Sequence, residues 1–264
     1  MSRIEATFEK LKARGRKALI PYLTIGYPRL ALTPALVQAM VEAGADLVEL
    51  GIPFSDPIAD GPIIQRAAYE ALRQGVNLER CLAVAHKLRQ DGLMIPLLFM
   101  GYYNPIFHYN EERFCQECQR VGIDGLIVPD LPPEEAGSLR TACLENDLDL
   151  IFLLAPTSTP ERVELVASLA SGFIYLVSLS GVTGPRDSLP AELENFVARV
   201  RARTPQPLCV GFGISSPREA SRVGEVADGV VVGSAIVQLA GECENPLEQV
   251  SSFVGRLRRG LDRK

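Results

Sequence analysis

Ala43-Gly44-Ala45-Asp46-Leu47-Val48-Glu49-Leu50-Gly51 reads as a turn running into a short strand, and the turn half recurs along the chain. It returns as Val121-Gly122-Ile123-Asp124 and as Val226-Ala227-Asp228-Gly229, each time at the start of an aliphatic run. Amphipathic stretches at helical spacing separate the runs, and this alternation implies a parallel sheet covered by helices. The strand candidates are Ala18–Leu23, Asp46–Gly51, Pro96–Gly101, Gly125–Pro129, Leu150–Leu154, Phe173–Ser178, Leu208–Gly211 and Gly229–Gly233. Eight such units in 264 residues predict an α/β fold, a (β/α)8 TIM barrel, whose usual length is ~250 residues. An extra N-terminal helix and additional short helices are expected beside the eight units. No Gly/Ser-rich linker or charge block divides the chain, so a single domain over 1–264 is expected.

Helix starts carry their own chemistry. Thr33-Pro34, Thr159-Pro160, Ser216-Pro217 and Asn245-Pro246 each place a capping side chain before a proline, whose missing N–H would have gone unpaired at a helix start. The last helix, from Pro246, has Leu247, Val250, Val254, Leu257 and Leu261 on one stripe. The longest departure from a minimal barrel follows the second strand, where the proline-rich loop Ile52–Pro62 precedes helices at about Ile63–Arg73 and Leu78–Gln90. Loops of that length in compact domains are commonly functional.

Composition excludes several classes of function. With 47% hydrophobic and 22% charged residues the chain can bury a large core, which argues against disorder. A net charge of −5, with basic residues gathered only at Arg256 to Lys264, argues against nucleic acid. The N-terminus has no apolar signal core and no stretch is long enough to span a bilayer, so a cytoplasmic protein is expected, or a stromal one if plastid-borne. The six cysteines are expected to be reduced, and Cys115-x-x-Cys118 falls in a helix-like stretch, Glu111 to Arg120, without a second pair or a histidine to complete a zinc set. No metal site is expected.

Side chains alternate along a strand, so Val48 and Leu50 suit the helix layer while Leu47, Glu49 and Gly51 point into the barrel. Glu49 thus sits inward near the C-terminal rim, and no strand candidate carries a lysine or arginine to pair it. A carboxyl so placed is expected to have a raised pKa and an acid/base role. The following loop adds Asp56 and Asp60, with its backbone restricted by prolines. For Asp60 two readings stand at this point: an active-site acid, or a cap for the helix that starts near Pro62. Glycine turns follow the last three strands, at Gly181-Val182-Thr183-Gly184, Gly211-Phe212-Gly213-Ile214-Ser215 and Gly233-Ser234-Ala235. Two of them lie after strands seven and eight, where barrels commonly bind phosphate, and they point to a phosphorylated substrate. The two histidines, His86 and His108, flank no strand-end acid, and lysines avoid the strands, which leaves carboxylates as the reactive groups.

The run Val48-Glu49-Leu50-Gly51-Ile52-Pro53-Phe54-Ser55-Asp56-Pro57-Ile58-Ala59-Asp60-Gly61-Pro62 closely resembles the signature of tryptophan synthase alpha subunits. Further agreement covers most of the chain, at 21–28, Gly101-Tyr102-Tyr103-Asn104-Pro105, 127–132, 154–158, 181–184 and 210–214. The resemblance implies a lyase of tryptophan biosynthesis that splits indole-3-glycerol phosphate into indole and glyceraldehyde 3-phosphate. Glu49 would be the acid and base, Asp60 would hold the indole N–H, and Tyr175 would be an active-site tyrosine. Tyr22 and Phe212 would line the indole pocket, Gly184, Gly213, Gly233 and Ser234 would bind phosphate, and Thr183 would lie on a closing loop. The resemblance further implies an allosteric complex, an α2β2 tetramer, with a beta subunit that carries pyridoxal phosphate, none being held by this chain. Asp56, Asn104 and Phe107 would lie on loops facing that partner. The chain departs from some members at Leu179-Ser180, where they carry an arginine, and at Tyr22, where they carry phenylalanine. Alternatives are a free-standing indole-3-glycerol-phosphate lyase, another phosphate-binding barrel such as a sugar-phosphate isomerase, and a non-catalytic regulator of a beta subunit.

Overall fold

Short aliphatic runs form β1 (Ala18–Thr24), β2 (Val48–Gly51), β3 (Leu97–Met100), β4 (Gly125–Ile127), β5 (Asp149–Ile151), β6 (Leu153–Leu154), β7 (Ile174–Val177), β8 (Leu208–Gly211) and β9 (Gly229–Val232). The computed structural model describes residues 1–177, 191–211 and 213–262. All neighbouring strands pair in parallel, in the order β5-β4-β3-β2-β1-β9-β8-β7-β6. Both ends of that order belong to one extended stretch, parted at Phe152, so the sheet curls into a nearly closed TIM barrel. The single strand expected at Leu150–Leu154 is therefore two: β5 pairs with β4, β6 pairs with β7, and the Phe152 carbonyl between them accepts the Tyr175 N–H at 3.0 Å.

Helices cover the ring: α1 (Arg3–Ala13), α2 (Thr33–Glu42), α3 (Pro62–Arg73), α4 (Leu78–Gln90), α5 (Tyr103–Tyr109), α6 (Glu111–Val121), α7 (Gly137–Glu145), α8 (Pro160–Leu169), α9 (Ala191–Arg201), α10 (Pro217–Val226), α11 (Ser234–Glu242) and α12 (Pro246–Asp262). The extra N-terminal helix, α1, opens with a Ser2–Glu5 capping box and turns Ile4, Phe8 and Leu11 toward the barrel's lower end. These side chains join Ile20, Leu47, Leu98 and Ile151 in one interior cluster, and the Phe8 ring lies 5.8 Å from that of Phe173. Val48 and Leu50 belong instead to the cluster between sheet and helices, as strand alternation requires.

Thr159 and Ser216 cap α8 and α10, accepting the N–H groups of Arg162 and Glu219. Thr33 does not cap α2: its hydroxyl accepts the Gly26 N–H at 3.0 Å, a loop contact that competes for the same oxygen. On α12, Val250, Val254 and Leu257 are buried, whereas Leu247 is exposed because the first turn runs past the core's edge. Cys115 and Cys118 are both buried on α6, with Cys115 Sγ 3.8 Å from Cys143 Sγ.

The recurrent lead-in has a physical cause. The Asp46 carboxylate accepts the Leu19 N–H and an Arg258 N–H, each at 2.9 Å. Asp124 accepts the Leu97 N–H at 2.8 Å and an Arg89 N–H at 2.6 Å, and also pairs with Arg3. Asp228 accepts the Leu208 N–H at 2.9 Å and pairs with Arg201. Each aspartate thus ties the start of its own strand to the start of the preceding one, at the end of the barrel opposite the loops that carry Asp60 and Ser234. The arginine offsets the cost of burying the charge.

Candidate active site

Glu49 is the inward residue of β2, 1% exposed, and faces Tyr22 of β1 in register. Glycine makes room for the tyrosine: a Cβ on Gly51 would lie 2.0 Å from the Tyr22 hydroxyl. The same device recurs across the barrel, where a Cβ on Gly211 of β8 would lie 2.2 Å from the hydroxyl of Tyr175 on β7. Two phenols are thereby tucked over strand ends and narrow the barrel mouth. The Tyr22 hydroxyl also shares a hydrogen bond with Thr24 Oγ1 at 3.2 Å.

The loop between β2 and α3 brings Asp60 over the same mouth. Its shape is set by Ile58 N–H donating to the Asp56 carbonyl (2.9 Å) and Asp60 N–H donating to that of Pro57 (3.1 Å). The capping alternative for Asp60 does not hold, since the N-cap of α3 is Gly61 and no side chain caps it. The Asp60 carboxylate instead faces the Tyr102 hydroxyl.

Burial pushes the Glu49 carboxyl up to about 8, with the Asp60 charge adding to the push. Glu49 Oε2 has no hydrogen-bond partner to favour the ionised form. Asp60 is pushed up to about 6 by burial, against the Tyr102 hydroxyl, which favours the carboxylate. At neutral pH one carboxyl is therefore protonated and its neighbour ionised, as an acid and a base side by side require.

The raised Glu49 value has a consequence for stability. The folded state holds this proton more tightly than the unfolded chain, so the stabilisation is complete below the unfolded value of 4.5 and is lost as pH rises through about 8. Glu49→Gln removes the loss, because glutamine never ionises. The variant is expected to melt about 10 °C above the wild type at pH 9, where a buried charge costs several kcal/mol, and within ~2 °C of it at pH 5. Thermal melts at the two pH values check this, and equal differences at both would show that Glu49 is not desolvated.

Glu49, Asp60, Tyr22 and Tyr175 line one cavity of about 270 Å3, and Gly213, Gly233 and Ser234 line it as well. α11 begins at Ser234 with Gly233 as its N-cap and no side chain on the cap, so the positive end of the helix dipole faces the cavity. Gly213 has φ +82°, a conformation that favours glycine. The neighbouring Ser215 is tied back into α10, its N–H and hydroxyl both donating to Glu219 (2.8 and 3.0 Å). The cavity thus joins a carboxyl pair to glycine turns and the start of a helix. Thr183, Gly184 and Phe212 lie outside the described residues.

Asp56, Asn104 and Phe107 do not line this cavity; all three are exposed on segments that follow the C-terminal ends of β2 and β3. Asn104 and Phe107 lie on α5 rather than on a loop, because Tyr103–Phe107 ring packing (5.7 Å) and the buried Ile106 hold that segment helical. Tyr102 is the residue that sequence reasoning left without a role. Its place one residue past a strand candidate's C-terminal end was the available signal.

Comparison with known proteins agrees with this geometry. The family model described as "Tryptophan synthase alpha chain" matches residues 8–260. A relative of that name from Dehalococcoides mccartyi is 53% identical over 262 residues, 99% of this chain and 100% of its own. One from Chloroflexus aurantiacus is 51% identical over 261 residues, 99% of this chain and 98% of its own. The crystal structure of the tryptophan synthase alpha chain from Legionella pneumophila superposes with a TM-score of 0.92 at 38% identity, covering 99% of this chain and 98% of that one.

Proposed function

The chain belongs to the tryptophan synthase alpha chain family, lyases of tryptophan biosynthesis that cleave indole-3-glycerol phosphate, and from that premise we propose that Glu49 and Asp60 divide the acid and base work of the cleavage. The observation that carries the assignment is the pair of carboxyls held at different pKa values in one cavity with a helix N-terminus.

Protonated Glu49 gives its proton to indole C3 while the Asp60 carboxylate takes the N1 proton, which breaks the aromatic ring system and leaves an indolenine. Glu49, now ionised, removes the proton from the glycerol hydroxyl next to the ring. The C–C bond breaks, the aldehyde of glyceraldehyde 3-phosphate forms, and the electron pair returns to the ring as Asp60 gives N1 its proton back. Tyr22 packs on the indole, and Tyr175, across the mouth from Glu49, borders the glycerol chain. Gly213, Gly233 and Ser234 bind the phosphate through backbone N–H groups and the α11 dipole; Gly184 completes that site, Phe212 the indole pocket, and Thr183 the closing loop.

An alpha chain implies a beta chain. The proposed partner carries pyridoxal phosphate, joins this chain in an α2β2 tetramer, and docks on Asp56, Asn104 and Phe107. The exposure of Phe107 (64%) and Ile58 (82%), on segments that follow the neighbouring strands β2 and β3, supports this. One domain over 1–264 and a cytoplasmic location belong to the same proposal; no helix among the described residues is long and apolar enough to cross a membrane. The test is indole release from indole-3-glycerol phosphate by the purified chain, alone and with a beta subunit. The partner is expected to raise turnover about fivefold or more, the low end of ordinary coupling between sites. Equal turnover in both conditions would make the chain a free-standing lyase.

A further inference from the structure

We propose that Tyr102 is a positioning residue for the cleavage, its hydroxyl holding the Asp60 carboxylate over the cavity; this rests on the role of Asp60 given above.

The loop that carries Asp60 has little to hold it in place. Its bonds Ile58 N–H to Asp56 O and Asp60 N–H to Pro57 O fix its shape and not its position, and Ile52 N–H anchors only its first residue, to Met100 O at 2.7 Å. Gln65 Nε2 donates to the Asp60 carbonyl at 2.8 Å, a bond to the helix that the loop itself leads into. Tyr102 supplies a tie from the barrel. It sits two residues past β3, is 4% exposed, and packs its ring against Phe54 with centroids 5.3 Å apart. Its hydroxyl accepts the Ala59 N–H at 3.0 Å. An N–H can only donate, so that bond uses an oxygen lone pair and leaves the phenol's one proton for the Asp60 carboxylate beside it. One hydroxyl therefore fixes the backbone at residue 59 and the charge at residue 60.

The surroundings of Asp60 show what this bond does to the charge. Glu49 faces it from β2, Tyr22 from β1 and Tyr175 from β7, and Asp130 acts on the Tyr102 hydroxyl itself. None of these is a cation. The phenol is the donor that favours the ionised form, and without it burial acts on Asp60 unopposed.

The test is the pH profile of indole release by Tyr102→Phe. Its acid limb is expected to move up by about one pH unit, with kcat/KM down about fivefold at pH 6 and recovering toward pH 7.5. A purely structural role would instead lower activity by the same factor at every pH, and that result would overturn the proposal. A second arm replaces Tyr102 with 3-fluorotyrosine, a stronger donor of unchanged shape, and the acid limb should then move down. Should Tyr102→Phe fail to fold, judged by circular dichroism, this arm decides alone, and an unmoved limb rejects the proposal. Asp60→Asn is run in parallel: wild-type activity there would remove the role of Asp60 itself, whereas an inactive Asp60→Asn with an unmoved limb in both Tyr102 variants would remove Tyr102 only.

Discussion

Glu49→Gln is expected to lower kcat for indole-3-glycerol phosphate cleavage by about 10³-fold or more while KM changes less than about threefold. General acid or base catalysis contributes about 10²–10⁴ in rate, and the mechanism calls on Glu49 in both directions, first to protonate C3 and then to take the hydroxyl proton. Glutamine keeps the shape and can do neither. Binding is expected to survive because the proposed phosphate site, Gly213, Gly233 and Ser234, lines another part of the cavity, and a loss confined to kcat marks an interaction made in the transition state. Single-turnover measurement of indole release separates chemistry from product release. A loss below about tenfold would assign the proton transfers to another group that lines the cavity.

Asp60→Asn is expected to cost about 10²–10³ in kcat and to reshape the pH profile. In the proposed mechanism Asp60 must be ionised, so activity is expected to fall as pH drops through about 6, and Glu49 must start protonated, so activity is expected to fall as pH rises through about 8. The two carboxyls interact, so these limbs belong to the pair. Asparagine cannot titrate, and the acid limb should vanish. The base limb should also move to lower pH, because the Asp60 charge is part of what raises Glu49. Residual activity with an unchanged acid limb would assign that limb to a different residue.

Strand alternation made Glu49 legible, because a carboxylate among Leu47, Val48 and Leu50 has one face on which it can be inward, and the structure puts it there. The placement of glycines after β8 and β9 was legible too, and Gly213 and Gly233 line the same cavity as Glu49. Asp60 was ambiguous because Asp before Gly-Pro suits a helix start as well as a rim, and only the geometry of Gly61 at the cap separates the two. Only the place of Tyr102 past a strand end was legible, since its contacts with Ala59 and Asp60 join segments more than forty residues apart in sequence. The break at Phe152 was not legible, as the residue's apolar character fits a continuous strand and the division arises from its neighbours pairing on opposite sides. The family resemblance reached further than these local rules, and it alone linked the carboxyls to an indole substrate.

The Asp46 tether has a bearing on precision. Asp46 and Glu49 are separated by three residues, roughly 10 Å of extended chain. The bonds from Leu19 and Arg258 clamp one end of that short span, and the Glu49 carboxyl rides at the other. A lever so short and so firmly seated leaves Glu49 little room to sway, whatever the segments above it do. Loops at the mouth are thereby relieved of keeping the acid on target, and selection can vary them to suit a partner or a substrate while the proton donor stays where the ring expects it.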